Sequence, residues 1–414
     1  MGSRPRIAVH DFSGHPFQLQ LSRALASRGY DVLHLHCASY TSGKGNTAGS
    51  SDDPATFELD HIDLGEAFAR YQFRKRRTQE RRYADMAIER LRRFRPDVII
   101  SCNVPLLAHR RIQRWAQASG IAFVFWHQDF YGTAMREAVR ARLPVIGSAV
   151  GSWFEHVERD LLATSDAIVG ISDDFAARHR RWGIDPAKTT IIENWAPLDE
   201  LPPRPRVNEW SEHHGLSATT NLLYSGTLGM KHNPKLLVEL AAAFRSQPDV
   251  RVVVISEGQG GDWLAEQREV EHLSNLVLLP YQPYGALPQV LASGDVLLAI
   301  LEPSAAAYSV PSKVLTYHCA QRAMLCAMPS TNLAARITTR EGSGLVVDVD
   351  DVDGFVNAAR HLVDDPQRRA AMGDSARRYA ERTFDIEAIT DRFLGVVEQA
   401  VDSAHRTTQH VRTP

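Results

Sequence analysis

Residues 222–240 read LLYSGTLGMKHNPKLLVEL, and the order of residue types is that of a strand, a tight loop and a helix start. The apolar run gives way to Gly226 and Gly229, then to Lys231, and Asn233 and Pro234 precede a periodic apolar stretch. Glycines let a backbone approach a ligand closely, a helix N-terminus presents unpaired N–H groups, and a lysine adds a full positive charge. Such a loop suits an anionic phosphate. It suits equally an ordinary turn between strand and helix with a solvated lysine.

Downstream the alternation of strand and helix continues: VRVVVISEG (250–258), NLVLLPYQP (275–283), VLLAILEP (296–303), AMLCAM and GLVVDV, with helical patterns between them. In YSVPSKVLTYHC (308–319), Pro311 and Ser312 mark a helix start and Lys313 falls in the first turn. A cation there opposes the helix dipole by a few tenths of a kcal/mol, and an anion bound at that end explains it. A last amphipathic helix through 385–404 is expected to pack back on the first domain, with a frayed tail over 405–414.

Upstream, the strand Ile7–His10 leads through Asp11, Ser13, Gly14, His15 and Pro16 into an amphipathic helix, then a second strand. That is a βαβ opening with a glycine at its first turn, where open parallel sheets bind ligands. The GxGxxG pattern is absent, which argues against an NAD or FAD enzyme. Residues 40–54 read as a loop, and Arg70–Arg95 as a helix dense in arginine. The strand IAFVFW then ends in HQDFYG, which crowds His127, Gln128, Asp129, Tyr131 and Gly132 at a strand's C-terminal end, the usual place for chemistry in an α/β enzyme. A hydrogen-bonded core histidine is the competing reading of His127. Arg136–Leu162 reads either as a helix buried against the sheet or as an amphipathic segment on a membrane. The strand AIVGIS, the stretch TTIIENWAP and the proline-rich LDELPPRPR follow. The division expected is a domain over 1–200, a linker over 201–215 and a second domain over 216–384.

Of the 414 residues 44% are hydrophobic and 23% charged, so a long disordered chain is excluded and two domains are expected. The net charge is -2, with the first half slightly basic and the remainder acidic. No apolar run approaches the roughly 18 residues that span a bilayer, so the expected location is the cytosol. Cys37, Cys102, Cys319 and Cys326 lack CxxC spacing and read as reduced core residues, and no metal site is expected. The basic helix brings no recognition motif or interleaved aromatics, which argues against nucleic acid. A solvated face is the ordinary reading of it; contact with an anionic membrane surface or with phosphates is the functional one.

Taken together, SGTLGMKHNP, SEG (256–258), LPYQPYGALPQVLASGDVLLA, VPSKVLTY and AERTFDIEAI resemble the nucleotide-sugar half of the family 4 retaining glycosyltransferases, closest to the exopolysaccharide, colanic-acid-type subgroup. The resemblance implies a GT-B fold: two Rossmann-like, doubly wound parallel-sheet α/β domains facing across a cleft. It implies a transferase without a metal or other cofactor, taking its sugar from an NDP-sugar and passing it to a glycan, lipid-linked or small-molecule acceptor in cell-surface polysaccharide synthesis. Arg70–Arg95 and Arg136–Leu162 would then touch the inner face of the membrane. Lys231 matches the family's diphosphate-contacting lysine, with Gly226, Thr227 and Gly229 in the donor loop. Glu257 and Gly258 match the strand-end pair near the nucleotide, and Tyr281 to Pro283 the segment whose backbone meets the base. Ser312 and Lys313, with Thr316 on the same helix, fall where a helix N-terminus receives the diphosphate. Gly14 and His15 match the turn that closes on the donor phosphates, and His127 to Asp129 the catalytic histidine region, with His127, Asp129 and Lys231 as the catalytic candidates. Three departures stand out: threonine at 227 replaces the family's arginine, its paired glutamates fall on Tyr308 and Thr316 with Glu302 the nearest carboxylate, and Gln128 aligns with the histidine. An NDP-sugar epimerase of the same architecture and a catalytically inactive sugar-nucleotide-binding assembly protein are the competing functions.

Overall fold

The computed structural model describes residues 4–40, 47, 49–69, 72–142, 144–229, 232–303 and 311–412. The chain forms two units, one of residues 1–194 with 386–414, the other of residues 195–385.

The first unit is built on seven parallel strands: β1 (Ile7–Asp11), β2 (Val32–Cys37), β3 (Phe57–Ile62), β4 (Val98–Cys102), β5 (Ala122–His127), β6 (Ala167–Gly170) and β7 (Thr189–Ile191). Their order in the sheet is β3-β2-β1-β4-β5-β6-β7. Helices cover both faces, so β1, β2, β4 and β5 are buried at every position, polar residues such as His10, Asp11, His34 and His36 included. The arginine-dense segment forms a helix over Phe73–Phe94, and the 136–162 region forms the helices Tyr131–Arg142 and Pro144–Thr164. These two lie close: a Cβ on Gly132 would come within 2.8 Å of the Glu155 backbone. The second of them buries Val157, Leu161 and Leu162 against the sheet.

The second unit carries six parallel strands: β8 (Thr220–Ser225), β9 (Val250–Ile255), β10 (Leu276–Leu279), β11 (Val296–Ile300), β12 (Ala323–Ala327) and β13 (Gly344–Val347), in the order β10-β9-β8-β11-β12-β13. Both orders reverse direction once, between β1 and β4 and between β8 and β11. Strand ends at such a reversal leave a crevice in which α/β proteins bind ligands.

Residues 201–215, read as a linker, are held onto the second unit. Proline withholds N–H groups, so this extended stretch offers carbonyls that arginines elsewhere in the unit take up. Arg377 Nη1 donates to the Leu201 carbonyl at 3.1 Å and Arg322 Nη2 to that of Arg204 at 3.0 Å. Arg206 Nε pairs with Asp295 at 3.0 Å, and Asn208 caps a short helix, Glu209–His213. The last helix runs Ile386–Arg412, past the expected end at 404, because HRTTQHVR contains neither glycine nor proline to stop it. It belongs to the first unit, where Phe393 packs on Trp126 with ring centroids 4.7 Å apart. All four cysteines are free and buried.

Candidate functional site

In the second unit, β8 ends at the reversal point with Gly226 at φ +124° and Thr227 exposed. Buried Tyr224 donates its hydroxyl to the Thr227 carbonyl at 2.8 Å, which folds the loop back over the strand end. From β11 the chain reaches the helix Ser312–Cys319, whose first turn holds Lys313. The Lys313 ammonium lies over the Tyr224 ring, 3.4 Å from its centroid. A Cβ on Gly226 would sit 3.4 Å from that nitrogen, so a side chain at 226 would crowd the ammonium. Tyr317 locks the helix to the sheet: its hydroxyl accepts from the Ser225 N–H at 3.1 Å and donates to the Leu298 carbonyl at 3.2 Å. Burial raises the pKa of both Tyr224 and Tyr317, so both stay hydroxyl donors. Thr316 donates to the Lys313 carbonyl at 2.8 Å, and Ser312 is exposed at the helix start.

The loops after the neighbouring strands join this surface. Glu257 and Gly258, the latter at φ +92°, follow β9, and Tyr281 to Pro283 follow β10. Tyr281 donates its N–H to Glu257 Oε1 and its hydroxyl to Thr227 Oγ1, each at 3.1 Å. Gly229 donates its N–H to His232 Nδ1 at 2.9 Å. The structure thus brings together Gly226, Thr227, Gly229, Glu257, Gly258, Tyr281, Ser312 and Lys313, all at the C-terminal end of one sheet. A fixed ammonium, a glycine loop and a helix N-terminus at one strand end have the chemistry that suits an anion. Lys231 and Tyr308 lie outside the described residues.

In the first unit, buried Asp11 organises the turn after β1: Oδ1 accepts from the Ser13 N–H at 3.0 Å and Oδ2 from the His15 N–H at 2.5 Å. Asn103, after β4, donates to Oδ1 at 3.1 Å, so one carboxylate ties both sides of the strand reversal. Gly14 holds φ +74° within this turn, and the helix Pro16–Ser27 begins behind it.

Two family models tile the chain: a glycosyl transferase 4-like domain matches residues 14–195 and a glycosyl transferases group 1 domain matches residues 207–379. The chain belongs to the family 4-type glycosyltransferases. Among related proteins, this glycosyltransferase is 26% identical over 307 residues to Escherichia coli K12 WcaI, named for glycosyl transfer in colanic acid biosynthesis, covering 73% of this chain and 74% of the relative. It is 24% identical over 168 residues, 41% of this chain and 44% of the relative, to a GDP-mannose-dependent phosphatidylinositol monomannoside mannosyltransferase of Corynebacterium glutamicum. Its GT-B fold matches Anabaena HepE, solved with UDP and glucose, at TM-score 0.66 and 13% identity over 95% of this chain and 100% of that one. It matches a Thermosynechococcus elongatus sucrose-phosphate synthase at TM-score 0.70 and 16% identity over 96% and 99%.

The glycosyltransferase places its candidate catalytic region unevenly. His127 is in the interior: its Nδ1 shares a hydrogen bond with His179 Nε2 at 2.9 Å and its Nε2 lies 3.4 Å from Glu158 Oε1. Burial lowers both histidines to a pKa of about 3 and raises Glu158 to about 8. Glu158 also accepts the Tyr131 and Gly132 N–H groups at 2.7 and 3.1 Å, which caps the helix they begin. His127 is therefore a neutral member of an internal network, the core-histidine reading. Gln128 is buried and accepts from Asn194 Nδ2 at 2.6 Å, and Asp129 is the exposed residue of the turn. Sequence reasoning missed Asp11 as an organiser, and Glu158, His179 and Tyr317 altogether. A polar residue at the end of a buried strand would have flagged Asp11; the other three meet their partners only through the fold.

Proposed function

We propose that this glycosyltransferase takes a sugar from a nucleoside diphosphate sugar with retention at the anomeric carbon and passes it to a glycan or lipid-linked acceptor of cell-surface polysaccharide, without a metal ion. The observation that carries the donor reading is the Lys313 ammonium, held over Tyr224 in the first turn of a helix and facing a glycine loop at the strand reversal. In the transfer the bond from the anomeric carbon to the diphosphate oxygen breaks with its electron pair on that oxygen. Lys313 and the N–H groups of its helix stabilise this charge by electrostatics set before the reaction starts. The acceptor hydroxyl forms the new bond, and its proton goes to a donor phosphate oxygen. Lys231 is assigned a second positive charge from the family resemblance, and exposed Asp129 a role in positioning the sugar.

The polysaccharide reading is supported by the relative named for colanic acid biosynthesis, and a lipid-linked acceptor by the one named for a phosphatidylinositol mannoside. Contact with an anionic membrane is assigned to the helix Phe73–Phe94. Among the described residues, no helix is long and apolar enough to cross a membrane.

The experiment is donor binding and transfer by Lys313→Ala and Lys313→Arg, with folding checked by circular dichroism. Lys313→Ala, and separately Lys231→Ala, should lose about 100-fold to 1,000-fold in turnover. Transfer should persist in EDTA, and the product anomer read by NMR should match that of the donor. Near-normal transfer by a folded Lys313→Ala protein would count decisively against the assignment.

A further inference from the structure

Between β5 and the helix Tyr131–Arg142 the chain turns through Gln128, Asp129 and Phe130, and of the three only Asp129 is exposed. Gln128 is fixed by Asn194, and the Phe130 ring lies under the Arg178 guanidinium, 4.0 Å from its centroid. The far end of the turn rests on Glu158, whose side chain is fully buried. Its Oε1 takes the Tyr131 N–H at 2.7 Å, a group that the Asp129 carbonyl shares at 2.9 Å, and its Oε2 takes the Gly132 N–H at 3.1 Å. A Cβ at 132 would sit 3.0 Å from that Oε2 and 2.8 Å from the Glu155 backbone, so glycine is what admits the carboxyl to two successive N–H groups. Oε1 also meets Nε2 of His127, the last residue of β5. One carboxyl thus touches both ends of the turn.

An aspartate in a turn commonly folds back on the N–H two residues on, which for Asp129 is that of Tyr131. Glu158 takes this N–H instead, and the Asp129 side chain stays exposed. We propose that Glu158 is a positioning residue for the transfer: from inside the first unit it fixes the turn that presents Asp129 to the sugar. This inference rests on the reading of Asp129 as a residue that positions the sugar. Both oxygens of residue 158 must accept, which the ionised carboxyl does best. An amide fails, because its NH2 faces one backbone N–H or the other whichever way it is turned. Burial raises Glu158 to about 8, against the Gly132 N–H and Arg178, which favour its charged form, and with Glu155, which opposes it. Around it stand His127, then His179 and Arg178 on the helix Asp173–Arg181, and Glu155, which Arg136 holds at 3.0 Å. The helix Leu106–Ala118 adds His109 and Arg110, the latter paired with Asp160 at 3.0 Å. Burial holds His127 and His179 near 3 and His109 well below its ordinary value, so near neutral pH the carboxyl is the member of this set that changes charge.

The test is turnover of the full chain, read as UDP or GDP released from a panel of UDP- and GDP-sugars, at saturating donor over about pH 6 to 9. Wild type, Glu158→Gln, Asp129→Ala and the double variant are compared, with folding checked by circular dichroism. Wild-type turnover should rise with pH through about 8. Glu158→Gln should lose about tenfold to a hundredfold at the plateau, and the rising limb with it. Its Kd for UDP and GDP by isothermal titration, set by residues of the second unit, should stay within about twofold of wild type. In the Asp129→Ala background the glutamine should cost nothing more, because the residue it acts through is gone. Asp129→Ala alters an exposed side chain and should by itself abolish the limb; a limb that persists in it overturns the inference even where Glu158→Gln does not fold. Wild-type turnover by a folded Glu158→Gln chain, or an equal loss in both backgrounds, overturns this inference alone. Asp129→Ala that turns over as wild type does overturns the reading of Asp129 and this inference with it. A wild-type chain that releases neither nucleotide overturns the donor reading as well.

Discussion

Gly226 and Gly258 both hold φ values that side chains resist, +124° and +92°, yet their surroundings differ. A Cβ on Gly258 meets nothing within 4 Å, whereas one on Gly226 enters the space before the Lys313 ammonium. Alanine at either position should cost about 1–3 kcal/mol of stability, read from urea midpoints. Only Gly226→Ala should also weaken nucleoside diphosphate binding; equal loss by both variants would refute the contrast. The buried network around His127 makes a second prediction, on pH. His127 and His179 are held near 3 against an ordinary 6.5, so the unfolded chain takes protons first and stability falls as pH drops from 6.5 towards 3. Glu158, raised from 4.5 to about 8, acts with the opposite sign: its contribution is full below 4.5 and is lost as pH rises to about 8. Melting midpoints should show Glu158→Gln gaining on wild type between pH 4.5 and 8, and His179→Gln flattening the decline below 6.5. Lys313 was legible in the sequence because a proline and serine announce a helix start. Glu158 was not, because its partners are 31 and 26 or 27 positions away and only the fold delivers them.

The helix Phe73–Phe94 shows how an element sorts charges that look uniform in sequence. Lys75 pairs with Glu66, Arg76 with Glu80, Arg90 with Asp60 and Arg93 with Glu89, while Arg92 lies over Trp115. Arg74, Arg77 and Arg81, three and four residues apart, remain as one exposed stripe with no acidic partner among the described residues. At ~1 kcal/mol for each basic residue near an anionic surface, replacing the three with glutamine should weaken vesicle binding about a hundredfold at low salt. Co-sedimentation with phosphatidylserine vesicles measures it, and binding that ignores both salt and the substitutions would sink the membrane assignment. The strands that carry both sites were readable because burial on two faces makes them predominantly apolar, although β1 closes on His10 and Asp11. Strand β3, FELDHI, was not: it sits at the sheet edge with one position buried, so its charged residues hide the pattern. The 201–215 segment misled in the other direction, since proline signals an extended chain but says nothing of what takes its carbonyls.

At the scale of the whole molecule, the alternation of strand and helix announced two doubly wound sheets. The allegiance of the last helix was an expectation that no local pattern could supply. In the structure it buries Phe393, Val396, Val397 and Ala400 within the first unit, where Arg28 pairs with Glu387 at 2.7 Å. A chain ending at Asp385 should therefore show a calorimetric transition of the first unit at lower temperature, with that of the second unit unmoved. An unchanged first transition would mean the helix adds nothing. The division also sets an order in time. The second unit is one unbroken stretch, complete once Asp385 has been made, whereas the first, begun earlier, waits for residues 386 onward. At roughly 5–20 residues per second of synthesis, the unit that starts first finishes last, by a delay on the order of seconds. During that interval Trp126 lacks its Phe393 partner, which makes the nascent first half, rather than the finished enzyme, the form most in need of a chaperone.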